Sequence, residues 1–318
     1  MRTNRRSLLH AGLLAVALAG AFGGIALYRV ARAVSEAGIA LDAEASVAVS
    51  RSRLHRPAAP AIEYLPAPAA FRDAAVFAGR LYLGGGPGIV AVDELGRITD
   101  SWRTGERLPA AVIALAASSS ELWIAAAGAG LLRYDGSDFE QILPADAGLR
   151  SFTAILPVAT GGVLLGTAGR GVLIYDGKRL RAFHPELARG RANALAGSDT
   201  DLWVATSDRG LLHLRGGQLQ TFSERDGLPD ANVLSLAVSG ERVWAGTALG
   251  VAEFSAARFT RVVGEGLFAR ALYERASELL VGTLETGAYR IPLASRRPSS
   301  WPAPFSGSVE KILRWSGR

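Results

Sequence analysis

The chain of 318 residues contains no cysteine. That excludes disulfides, thiolate metal sites, a thiol nucleophile and a lipid-modified N-terminal Cys. Lysine is nearly absent too, with only Lys178 and Lys311, and histidine occurs four times, at His10, His55, His184 and His213. No two histidines fall within metal-ligand spacing, so a His-built metal centre is not expected. Acidic residues are missing from positions 1–33, which carry five arginines (Arg2, Arg5, Arg6, Arg29 and Arg32). The remainder holds 30 basic residues against 29 acidic ones, so the formal charge of +6 is mostly local. A nearly neutral body argues against nucleic-acid binding.

What is present is apolar and rich in turn residues. Hydrophobic residues make up 49% and charged ones 20%, ample for a large core, and 37 glycines against 14 prolines favour many short strands joined by tight turns. The start combines basic residues, an apolar run from about Leu8 to Leu27, and Ala31-Arg32-Ala33. This is the layout of a cleaved export signal, and its length equally suits an uncleaved signal anchor. The arginines before the run put the body outside the cytoplasm, on the periplasmic side of a bacterial inner membrane. Arg5 and Arg6 lie in a segment similar to the twin-arginine export motif, so Sec and twin-arginine export both stay open. Residues 34–60 read as a short helix and an Ala/Pro-rich linker.

The rest, 61–318, is organised by a repeat of a hydrophobic strand, a small-residue turn, Gly, and a second strand. It is seen in LWIAAAGAGLLRYDG (122–136), VLLGTAGRGVLIYDG (163–177), LWVATSDRGLLHLRG (202–216) and VWAGTALGVAEFSA (243–256), with further copies at 81–93 and 279–292. The large residue of the first strand is Tyr82, Trp123, Leu164, Trp203, Trp244 and Leu280, in steps of 41, 41, 39, 41 and 36 residues. Most units add a third strand and, after a turn such as RDGLPDAN, a short apolar fourth. Four short strands in about 40 residues leave no room for helical crossovers, so the blades are antiparallel. Repetition then predicts an all-β fold, a β-propeller of six to seven four-stranded blades behind an N-terminal helix.

The run SERDGLPDANVLSLAVSGERVWAGTALGVAEF, residues 223–254, resembles the repeat of the two-component regulator propellers. Their pattern is a DGLP turn, Asn, a VxSL-type strand, then LWxGTxxGLxxYDG; Ala125 and Ala205 depart from it. The resemblance implies an extracytoplasmic sensory propeller, often joined to a signalling module.

SVEKILRWSGR (308–318) matches the opening of another unit, and IEYLPAP (62–68) could be a spare outer strand. Six blades plus half of a seventh, a last blade missing roughly two strands at the C-terminus, or a closed six-bladed ring are the expected arrangements. The repeated aromatics are expected to pack between blades, and Gly130, Gly171, Gly210, Gly250 and Gly287 to serve the hairpin turns. GTAGRG at 166–171 could suggest a phosphate loop, but a strand follows it rather than a helix. Asp226 and Asn232 read as turn formers, and the carboxylate pairs Glu140 with Asp146 and Asp199 with Asp201 lack a neighbouring His in sequence. Arg179, Arg181, Arg189 and Arg191 form a local basic group. No Ser-His-Asp spacing or Asp-rich calcium loop is evident, so no catalytic, cofactor or metal residues are expected. The expected function is a non-enzymatic sensor or binding module, with a protein or small-molecule ligand at the loops and contact with the membrane through the N-terminal helix. A propeller lyase or hydrolase, or an envelope assembly scaffold, is the alternative.

Overall fold

The computed structural model describes residues 39–40, 46–50, 71–95, 97–143, 151–275, 277–300 and 309–314. The anchor and its Arg5-Arg6 pair, Asp146 and the segment 62–68 lie outside the described residues. Among the described residues no helix is long and apolar enough to cross a membrane.

Six four-stranded antiparallel sheets follow one another along the chain, at 71–103, 112–143, 152–182, 192–222, 233–263 and 269–300, here blades 1 to 6. Within each, sequence order is spatial order. In blade 4, for example, Ala192–Gly197, Asp201–Thr206, Leu211–Arg215 and Gln218–Phe222 lie side by side. Tight turns join them, because the connections are too short for anything but antiparallel neighbours. The first strand of every blade packs against the first strand of the next, so these strands ring the central axis.

A further strand, Val309–Arg314, takes a seventh place in that ring, packed against Ala269–Arg275 on one side and Phe71–Phe77 on the other. Its sheet partner is Ser46–Ser50, which runs antiparallel to it, with Ile39–Ala40 alongside. Within 34–60, read from sequence as a short helix and linker, Ile39–Ala40 and Ser46–Ser50 are strands, and the remainder lies outside the described residues. The alternating Ser-Val-Ala-Val-Ser suits a pleated ribbon, and a lone innermost strand would otherwise present an unpaired edge.

The core lies between blades. Tyr82 packs with Leu115 and Tyr134 between blades 1 and 2, and Trp123 with Phe152 and Leu165 between blades 2 and 3. Leu164 meets Leu202 and Leu214, Trp203 meets Val243 and Phe254, and Trp244 meets Leu279 and Val281. Leu280 meets Val309 and Ile312 of the seventh strand. The one large side chain per repeat thus fills the gap to the following blade, where its dispersion contacts tie two sheets together.

Candidate functional site

Two places on a ring of blades could hold a ligand: the mouth of the axis and the loops of one face. Their side chains are built differently.

Each innermost strand begins with the same irregularity. Pairing with the second strand slips by one residue after Phe71, Val112, Phe152, Ala192, Val233 and Ala269. A bulge of this kind turns a side chain out of the pleat, here toward the neighbouring blade. Polar groups placed there bond across. Asp73 Oδ2 accepts from the Leu115 backbone N–H at 2.8 Å. Thr153 donates to the carbonyl of Ala192, Asn193 Nδ2 to that of Val233 at 2.8 Å, and Ser235 to that of Ala269 at 2.8 Å. Ion pairs complete the sequence at the seventh strand, Arg270 with Glu310 at 2.6 Å and Lys311 with Asp73 at 2.8 Å. The step from blade 2 to blade 3 carries Ile113 and Ala114 instead. Polar side chains at the axis therefore satisfy backbone groups of the next blade, a cohesive task.

On the loop face, the second and third strands of each blade meet in a hairpin. Gly171 shows why glycine closes it: φ is +62°, and a Cβ there would lie 1.8 Å from the carbonyl oxygen of Leu187. Gly130, Gly210, Gly250 and Gly287 also have positive φ. A buried threonine locks four of the hairpins. Thr167 donates to Gly171 O at 2.9 Å and accepts from Arg170 N at 2.8 Å; Thr206 does the same with Gly210 and Arg209. Thr247 and Thr283 bond Gly250 and Gly287 likewise. The Thr of WxGT holds the turn shape, a role that its fixed place before Gly could have suggested.

Turn aspartates behave as backbone acceptors. Backbone N–H groups of Asp138 and Ser137 hold the Asp135 carboxyl down at about 2. Those of Arg179 and Lys178 lower Asp176, and the Ser223 backbone and hydroxyl lower Asp226 within a capping box. Asn232 accepts a hydrogen bond from Asn193 Nδ2 at 3.2 Å, linking its loop to the neighbouring innermost strand. Tyr82 is raised to about 12 by burial, with Tyr134 beside it.

The histidines do not converge. His213 is buried, lies 2.6 Å from Asp201 Oδ1 and stacks on Trp203 with centroids 3.8 Å apart. Register explains the meeting, since Trp203 and His213 face each other across adjacent strands; their separation by 10 residues in sequence hid it. His184 caps a 3-10 turn by accepting from Glu186 N. Asp199 accepts from Thr160 at 3.3 Å, and Glu140 is paired with Arg133 at 2.5 Å. The arginine group is split: Arg179 and Arg181 sit at the turn and outer strand at one end of blade 3, Arg189 and Arg191 in the loop at its other end. Among the described residues no cluster of three or more His, Asp or Glu is arranged to hold a metal ion.

Solved structures show what this architecture is similar to. An extracellular domain assigned to a hybrid two-component system of B. thetaiotaomicron aligns with a TM-score of 0.59 at 17% identity, over 78% of this chain and 39% of that one. Virginiamycin B lyase from Staphylococcus aureus aligns at 0.60 and 12% identity, over 74% and 85%. The WD40 β-propeller domain of Doa1 aligns at 0.58 and 12% identity, over 78% and 89%. The fold is a β-propeller. At these identities the likeness shows the fold alone, and it covers 39% of the two-component extracellular domain. No family model matches the sequence, and no curated protein matches it.

Proposed function

We propose that this propeller is a non-catalytic binding module that works outside the cytoplasm, of the two-component regulator propeller type. Ligand or protein recognition falls to its loop face. One observation carries the reading: the polar side chains at the start of the innermost strands bond the neighbouring blade, leaving the loops as the surface available for recognition. The basic, apolar N-terminus, the DGLP and WxGT repeat, and the fold shared with an extracellular domain of a two-component system support the same assignment.

The test is topology. Alkaline phosphatase and a fluorescent protein that matures only in the cytoplasm would each be fused after residue 60. Phosphatase activity without fluorescence is expected; a fluorescent, phosphatase-silent fusion would defeat the reading. A lyase or hydrolase activity lost on substituting a polar residue of the axis, with stability unchanged, would favour the enzymatic alternative.

A further inference from the structure

The loop face is electrostatically uneven. The residue just before the hairpin Gly is Ala129, Arg170, Arg209, Leu249 and Thr286 in blades 2 to 6, so arginine occupies this place in two adjacent blades alone. Between those two hairpins runs the loop that carries Arg189 and Arg191. Its backbone is tied to both: Gly171 N–H donates to Gly190 O at 2.9 Å, and Ser207 N–H to Arg191 O at 3.3 Å. Four arginines thus lie along one strip, at 170, 189, 191 and 209.

Elsewhere arginine is mostly matched with carboxylate, as in Arg80–Asp100, Arg97–Asp93, Arg133–Glu121, Arg215–Asp201 and Arg270–Glu310. On the strip two of the four have neutral acceptors, and one carboxylate, Asp208, stands beside Gly190. Arg191 donates to Asn193 Oδ1 at 2.9 Å, and Arg209 to the carbonyl of Glu186 at 3.1 Å. Neutral acceptors orient a guanidinium without cancelling its charge, which leaves a preorganised donor for an incoming anion. The next loop round the ring has the opposite sign, with Glu224, Asp226 and Asp230 against Arg225. Gly210 N–H bonds Ala231 O in that loop, so the acidic segment directly adjoins the strip.

We propose that this strip docks a short acidic segment of a partner protein. The inference rests on the reading of the chain as a binding module and names the partner's chemistry. Spread over three protruding loops, the strip suits an extended segment. The adjoining acidic loop repels a long polyanion and so limits the occupant to a few residues, which disfavours nucleic acid.

Fluorescence anisotropy on the full chain tests this, with a labelled Gly/Ser-spaced peptide bearing about four Asp and Glu residues and its Asn/Gln counterpart as probes. Binding of the acidic peptide alone is expected, weakening with salt. Arg189→Glu combined with Arg191→Glu should weaken it about tenfold or more, and Arg258→Glu, at an outer-strand turn of blade 5, should leave it unchanged. Thermal unfolding of each variant verifies folding. Absence of binding, equal loss in Arg258→Glu, or full displacement by inorganic phosphate at matched charge would overturn the proposal. Stronger binding of anionic lipid vesicles or of single-stranded DNA than of the peptide would also overturn it. None of these outcomes alters the topology result, so a failure here is distinct from a failure of the proposed function.

Discussion

The interface between blades 3 and 4 and that between blades 5 and 6 occupy equivalent places in the ring and are made of different matter. In the first, the repeat position is Leu164, opposite Ile174 on the adjacent strand, and the gap is filled by Leu202, Leu212 and Leu214. In the second, Trp244 stands opposite Glu253. Glu253 is buried and is approached by Arg296 at 2.7 Å, Arg261 at 3.1 Å and Arg242 at 3.3 Å. Glu274 of blade 6 accepts from Arg242 at 2.7 Å and from the Trp244 indole N–H, while the Arg296 guanidinium lies 5.9 Å over the indole ring. The fold therefore asks only that the gap be filled, and the ionic filling leaves the buried Nε atoms of Arg242 and Arg296 without a hydrogen-bond partner among the described residues. Buried charge here is weak grounds for extra stability, because desolvation offsets the attraction; its consequence is sensitivity to losing one partner.

That difference can be broken from either side. Glu253→Ala leaves three arginines facing a void and should destabilise by about 3–5 kcal/mol in chemical denaturation. Leu164→Ala removes only apolar contact and should cost about 2–4 kcal/mol, as a cavity does. If Glu253→Ala proves the milder of the two, the ionic network is not what holds blades 5 and 6. Gly171→Ala, at the loop end of the apolar interface, should cost about 1–3 kcal/mol, through a left-handed φ and the clash with Leu187 O.

The smallest effect belongs to turns outside both interfaces. Asp135 titrates at about 2 in the folded chain against its ordinary 3.8. A folded value below the unfolded one means that its contribution is present above pH 3.8 and disappears as pH falls through 2. The stability difference between the natural chain and Asp135→Asn should accordingly shrink across that window, measured as the denaturant midpoint against pH.

The repeat was readable because it is local. A strand, a turn and a glycine recur within 15 residues, and Trp123, Trp203 and Trp244 advertise an apolar gap at each recurrence. Contacts between blades were not readable in that way. Trp244 meets Glu274 across 30 residues, and Asn193 meets Val233 across 40. Only the common period brings such residues together, and the bulge that aims Asn193 sideways depends on register with the second strand. The strand at Ser46–Ser50 escaped for the same reason, since its partner lies at the far end of the sequence. The strip of arginines was half visible: Arg189 and Arg191 stand together in sequence, but Arg170 and Arg209 join them only once blades are laid side by side.

Division of labour between axis and face is the central claim, and paired thermal unfolding tests it most directly. Asn193→Ala removes the bonds to Val233 and Asn232 and should lower stability by about 1–2 kcal/mol, a fall in Tm of several degrees. Arg189→Glu, on an exposed loop, should leave Tm within about one degree of the natural chain. The reverse pattern, an indifferent Asn193 and a destabilising Arg189, would contradict the assignment of cohesion to the axis and recognition to the loops.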